Sequence, residues 1–325
     1  MIQNFADKLI EAVKAKGNPI CVGLDPRLDK IPESIKNRAL AYTDDNGEHL
    51  SPTAAAARAI FEFNKGIIDA VFDLVPVVKP QIAFYEIYGA DGVKAYADTL
   101  KYAKSKGILT IADAKRNDIG TTAEAYAQAF LGEVQIFEGE NEVVMPIFEA
   151  DSITVNPYLG WDGIKPFVEE CKKYGKGIFA LVKTSNKSSG DLQDLVMQDE
   201  KGADGKGKAL YEIVGHLVDS WGADEIGESG YNFVGAVVGA TFPEQAKRLR
   251  EIMPNTIFLV PGYGAQGAGA ADVKPCFNAD GLGAIINNSR GIIFAYEKLG
   301  MLPDAYAEAA RTAVLEMKKD LSEIA

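Results

Sequence analysis

The sequence predicts an α/β protein: a parallel (β/α)8 barrel of the TIM type, with an N-terminal helix and loop insertions. Three observations carry that prediction. Eight short apolar runs alternate with helical patterns along the chain. Most of the runs are continuously apolar, as strands buried on both faces must be. Charged side chains gather where the runs end, on the side where such barrels place their active sites. A doubly wound open sheet is the structural rival. It usually has fewer strands, and nothing after the first run resembles its Gly-x-Gly-x-x-Gly turn.

The elements follow in order. Residues 1–17 space Phe5, Leu9, Ala12 and Val13 along one helical face, with Asp7 and Glu11 among them, so they form an amphipathic helix and not a signal peptide. The first strand is Pro19 to Pro26, and a polar stretch follows to about residue 50. Ser51-Pro52 supplies an N-cap and a first-turn proline for a helix running through Phe72. The second strand, Leu74 to Lys79, is ended by Pro80, and a helix from Asp91 to Lys106 leads to the third, which begins at Gly107. Thr121 to Phe130 is helical, and residues 131–150 form an acidic, irregular insertion. The fourth strand is Ser152 to Pro157 and the fifth Gly177 to Lys183. A second insertion, near 186–208, precedes the helix that carries Tyr211, Ile213 and Leu217. Strands six to eight are Phe233 to Val238, Thr256 to Val260 and Ala284 to Ile286, and the Ala-rich end from Pro303 is helical. The 325 residues read as one domain, 1–325, with those two insertions.

Composition narrows the function. A net charge of −12 argues against a nucleic-acid partner, which would need a basic face. Cys21, Cys171 and Cys276 have no paired spacing, so they read as reduced thiols of a cytoplasmic protein. Only His49 and His216 are present, too few for a multi-histidine metal site, and both read as filler. No run approaches the ~20 apolar residues of a membrane span.

The informative stretch is Asp-Ala-Lys-Arg-Asn-Asp-Ile-Gly, 113–120. If the third strand continues that far, its period of two points Asp113 and Lys115 to one face. Asp118 follows where the chain turns. A generic Asp-x-Lys is usually a structural ion pair. Here, however, Lys79 ends the neighbouring second strand, so two lysines and two carboxylates crowd together. Lysines flanked by carboxylates stay protonated, which suits a positioned cation and proton donor better than a Schiff base. Such an array can stabilise a carbanion and then protonate it. Asp25 and Ser185 end two further strands. After strand seven comes Pro261-Gly262-Tyr263-Gly264-Ala265-Gln266-Gly267, and after strand eight Ser289-Arg290-Gly291. Glycines that let backbone amides approach, beside an arginine fork, favour a phosphate ester as substrate.

These residues resemble the orotidine 5'-phosphate decarboxylase family, particularly its longer-chain bacterial type. The match spans nearly the whole chain: Gly-Leu-Asp-Pro (23–26), Val-Lys-Pro-Gln (78–81), the 113–120 stretch, Val-Lys-Thr-Ser-Asn (182–186) and the Gly-rich loop at 261–267. The resemblance implies decarboxylation of orotidine 5'-monophosphate to uridine 5'-monophosphate, in pyrimidine biosynthesis, with no cofactor or metal. It gives Lys79, Asp113, Lys115 and Asp118 the catalytic array, with Lys115 protonating C6 and Asp113 against the leaving carboxylate. It gives Asp25 the ribose hydroxyls, Ser185 the pyrimidine edge, and Gln266 and Arg290 the phosphate. It also implies a homodimer in which Asp118 and Thr122 reach the neighbouring subunit's site, and a lid formed by residues 262–269.

Two alternatives stay open. Sister families sharing Asp-x-Lys-x-x-Asp include magnesium-dependent aldolases and decarboxylases of sugar phosphates, which place an acidic ligand where this chain has Lys79. An ammonium cannot ligate Mg2+. The other is a catalytically silent barrel that binds nucleotides, for which two buried lysines would have little use.

Overall fold

A computed structural model gives the fold over residues 2–43, 46–137, 139–201, 207–264 and 267–322. The eight apolar runs are β1 (Ile20–Leu24), β2 (Val77–Pro80), β3 (Leu109–Arg116), β4 (Ser152–Val155), β5 (Gly177–Lys183), β6 (Asn232–Val238), β7 (Thr256–Val260) and β8 (Ala284–Asn288). They close in the order β1-β8-β7-β6-β5-β4-β3-β2, with β2 returning to β1 and every barrel pairing parallel. All residues of β1, β2, β4, β6, β7 and β8 are buried. This explains why the runs lack polar alternation: helices cover the outer face, and side chains fill the inner one.

The N-terminal helix, α1 (Phe5–Lys16), shuts the lower end of the barrel. Phe5 meets Phe179 of β5 edge-to-face, with centroids 6.2 Å apart. Ser51 caps the helix Pro52–Val71 by accepting the Ala54 N–H at 3.2 Å, as its position before Pro52 predicts. That helix stacks Phe63 on Tyr306, which opens the C-terminal helix Tyr306–Leu321, at 4.8 Å between centroids.

Three stretches differ from the sequence reading. The polar stretch before residue 50 contains a helix, Glu33–Ala41, that buries only Ile35 and Ala39 and so leaves little periodic signal. The stretch read as an irregular insertion at 131–150 holds an antiparallel hairpin, Val134–Phe137 with Val143–Met145. The insertion near 186–208 likewise contains a helix, Gly190–Gln193, and strands Val196–Lys201 and Gly207–Ala209, which pair. Pro80, expected to end its strand, is the last residue of β2.

Candidate active site

The carboxyl ends of β2, β3 and β4 build the charged centre. In register, Gly23 of β1 lies opposite Lys79 of β2, and the chain just past β2 bridges to Asp113 through Gln81. Lys79 and Asp113 are both buried, with Lys79 Nζ 2.6 Å from Asp113 Oδ2. On its other oxygen Asp113 takes Lys115 Nζ, also at 2.6 Å. One carboxylate therefore joins two ammonium groups. The Lys79 contact is worth on the order of 5 kcal/mol of Coulomb energy at an effective dielectric near 20, before desolvation is charged against it.

Strand period alone does not bring Lys115 to that position. Its φ is +47°, a left-handed conformation, and the β3–β4 register shifts between Ala112 and Arg116. Such a bulge re-aims a side chain at the cost of unpaired amides. Thr154 of β4 repairs the cost: its Oγ1 accepts the N–H of Ala114 at 3.1 Å and of Lys115 at 2.9 Å. The same hydroxyl donates to Asp113 Oδ1 at 2.9 Å. A hydroxyl has one donor and two acceptor sites, and all three are used.

The ionisation states follow from these contacts. Burial would lower the Lys79 pKa, but the charges of Asp113 and Asp25 outweigh it and hold the ammonium above the usual lysine range. Burial would raise Asp113, but Lys79 and Lys115 together pull it well below the ordinary carboxylate value. Burial raises the pKa of Asp25 against the opposing pull of Lys79. Asp25 Oδ1 is buried with no hydrogen-bond partner among the described residues, so it can accept from a ligand hydroxyl.

A cavity of about 550 Å³ opens above this centre. Lys79, Asp113, Lys115 and Thr154 form one side, Leu181, Val237 and Leu259 an apolar floor, and Ser185 with Gln193 another wall. Gly239 lets the chain after β5 lean inward, because a Cβ there would stand 2.8 Å from the Ser185 backbone nitrogen. This size and mix of apolar floor and convergent charge suits one small, multiply polar ligand.

The remaining predicted residues lie around the mouth or apart from it. The loop after β7 folds back through Gly264 N–H to Ala268 O at 2.8 Å, and Gly262, Gly264 and Gly267 all have positive φ (106°, 72° and 90°), which glycine adopts without strain. Gly264 approaches Asn288 at the end of β8, bringing this loop beside the turn that carries the exposed Arg290. Gln266 lies outside the described residues. Asp118 is half-buried and accepts the Ile119 N–H at 2.9 Å, with no contact to the lysines among the described residues of this chain. Thr122 is exposed on the helix Gly120–Leu131.

Sequence reasoning missed Thr154, because a threonine in a strand gives no sign of which neighbour it serves. It also passed over Asn287 at the end of β8, whose buried Oδ1 lacks a partner among the described residues and whose Nδ2 donates to Ser289 Oγ at 3.4 Å, close to Asp25. Among the described residues, no three His, Cys, Asp or Glu side chains converge as a metal-binding set.

Known proteins share both sequence and fold. Residues 18–300 match the model of the orotidine 5'-phosphate decarboxylase / HUMPS family. An orotidine 5'-phosphate decarboxylase of Caldicellulosiruptor bescii is 45% identical over 294 residues, covering 90% of each chain. One of Rhodopirellula baltica is 41% identical over 324 residues, covering 98% of this chain and 99% of its own. The OMP decarboxylase structure of Leishmania donovani superposes with a TM-score of 0.70 at 31% identity, covering 99% of this chain and 98% of that one. With a family model spanning most of its length and such relatives matched nearly end to end, this chain belongs to the orotidine 5'-phosphate decarboxylase family.

Proposed function

We propose that this protein decarboxylates orotidine 5'-monophosphate to uridine 5'-monophosphate and CO2, as a carboxy-lyase of pyrimidine biosynthesis. Family membership supports the reaction. The observation that carries the mechanism is Asp113 held between Lys79 and Lys115 at 2.6 Å each.

In this reading the pyrimidine ring sits over the apolar floor, with its C6 carboxylate toward Asp113. The bond from C6 to the carboxylate breaks, CO2 leaves, and the electron pair stays on C6. Lys115 stabilises that carbanion electrostatically and gives it a proton. The array is built before substrate arrives, so little reorganisation is needed as charge develops. Lys79 keeps Asp113 ionised and fixed. Asp25 takes ribose hydroxyls through its unpartnered oxygen, Ser185 meets the pyrimidine edge, and Arg290 with the loop carrying Gln266 holds the phosphate. A magnesium-dependent sugar-phosphate reaction is disfavoured by Lys79, an ammonium where that chemistry needs an oxygen ligand.

The active unit in this reading is a homodimer in the cytoplasm, each subunit one barrel domain. Asp118 and Thr122 stand away from their own array, and Ile87, Ile119, Tyr158, Leu159 and Trp161, in the segments that follow β2, β3 and β4 at this end of the barrel, are exposed apolar side chains. That combination fits a second copy covering the face and taking Asp118 and Thr122 into its site. No helix among the described residues is long and apolar enough to cross a membrane.

The test is the ultraviolet absorbance of orotidine 5'-monophosphate mixed with the purified protein, with and without EDTA. Loss of the substrate band at the same rate in both is the expected result. Turnover only of a sugar phosphate, and only with Mg2+, would overturn the reading. Nucleotide binding without turnover would leave a silent binder.

A further inference from the structure

Lys183, the last residue of β5, is fully buried yet takes no part in the charged array. Its ammonium lies 2.7 Å from Asp194 Oδ1 and 3.2 Å from Ser189 Oγ, and 4.4 Å from the centroid of the Phe242 ring. Both oxygens belong to the segment that leaves β5 and folds back on it through the turn Lys187–Ser189 and the helix Gly190–Gln193. A second tie lies alongside. Gln193 accepts the Thr184 N–H at 3.0 Å and donates to Thr184 Oγ1 at 2.8 Å. Ser185, Ser189, Leu192 and Gln193 of this segment form the wall of the cavity opposite the lysines.

The segment that walls the cavity is thus fastened at its far end to the strand it leaves. The fastening is asymmetric: Lys183 is inaccessible, while the Asp194 side chain is 42% exposed. If the segment swings out, Asp194 gains water, but Lys183 is left as a buried cation without its counter-charge. Uncompensated buried charge is costly, so opening is penalised and the closed wall is favoured.

We propose that Lys183 is a positioning residue for the decarboxylation, clamping residues 186–194 through Asp194 and Ser189 against the part of the cavity that takes the pyrimidine ring. The identity of that ligand rests on the decarboxylase reading. The clamp acts on the base and not on the phosphate, which binds at the loops after β7 and β8.

The experiment compares wild type, Asp194→Asn, Lys183→Met and Lys183→Arg by calorimetric binding of uridine 5'-monophosphate and of ribose 5-phosphate, and by turnover of orotidine 5'-monophosphate. Asp194→Asn and Lys183→Met should weaken the nucleotide about tenfold or more and lower kcat/KM at least as much, with ribose 5-phosphate affinity unchanged. Lys183→Arg should restore most of the loss. Equal weakening of both ligands, or no weakening of either, would overturn the clamp. Should Lys183→Met fail to fold, Asp194→Asn, altered at the half-exposed partner, carries the same comparison. Wild-type turnover tests the decarboxylase reading separately. An inactive wild type whose variants still split the two ligands would refute that reading and keep the clamp.

Discussion

Thr154 donates its hydroxyl proton to Asp113 Oδ1 at 2.9 Å, and through that one atom β4 fixes both the carboxylate and the distorted backbone of β3. Thr154→Val keeps the shape but removes the donor and orphans the amides of Ala114 and Lys115. The expected cost is about 2–4 kcal/mol in urea unfolding, with kcat at least tenfold lower because Lys115 loses its anchor. Thr154→Ser should retain most of both. A valine variant of normal stability would show that the bulge does not depend on this hydroxyl.

Lys115 is the exposed arm of the array, its side chain 46% accessible, so its removal should cost little stability. Lys115→Ala should lower kcat by roughly a thousandfold or more, the scale of a lost proton donor and charge together. Its Tm should move by a few degrees at most, and uridine 5'-monophosphate should still bind. Near-normal turnover would remove Lys115 from the mechanism.

Asp118 contacts neither lysine of its own chain among the described residues, so a shared site has a direct test. Inactive Asp118→Ala and inactive Lys115→Ala subunits are mixed and allowed to exchange. Half the dimers are then mixed, each with one intact site of two, giving about a quarter of wild-type activity. Silent heterodimers of demonstrated composition would mean that Asp118 serves its own subunit or none.

Arg290 has no ion-pair or hydrogen-bond partner among the described residues that removal would disturb. Arg290→Ala should therefore raise KM for the nucleotide tenfold or more, since a charge-assisted contact to phosphate is lost. A nucleoside substrate lacking phosphate should be almost unaffected. Equal losses on both would refute the phosphate role.

The array also sets a pH dependence. Asp113 has a folded pKa below its unfolded value of ~3.9, so its stabilisation is complete above that value and is lost as pH falls through the folded pKa. Lys79, raised in the fold, behaves in reverse, and its contribution is lost only as pH rises beyond the usual lysine range. The gap in Tm between wild type and Asp113→Asn should be steady from about pH 6 to pH 5 and close below about pH 4. A gap that widens on acidification would contradict the ion pairing.

Much of this was legible in the chain. β5 and β7 have the bounds their apolar runs predict, Gly177–Lys183 and Thr256–Val260, because strands covered on both faces leave uninterrupted hydrophobic signals. Ser51-Pro52 marked its helix start for an equally local reason. The helix Glu33–Ala41 was hidden because so little of it is buried, and the 134–145 hairpin because Ile136, Phe137, Val143, Val144 and Met145 all stay exposed, with no alternation to betray a buried face. Lys79, Asp113, Lys115, Ser185 and Asp25 were named from their places at strand ends, and the first four line one cavity.

The sequence by itself determined the barrel, its strand ends and the charged residue types gathered there, since periodicity and turn chemistry are local properties. Only the tertiary structure decided how those charges are held. The +47° φ of Lys115, the three bonds of Thr154 across β3 and β4, and the buried reach of Lys183 to Asp194 join residues through packing and desolvation. Those energies depend on which strand lies beside which, and that is settled when the barrel closes.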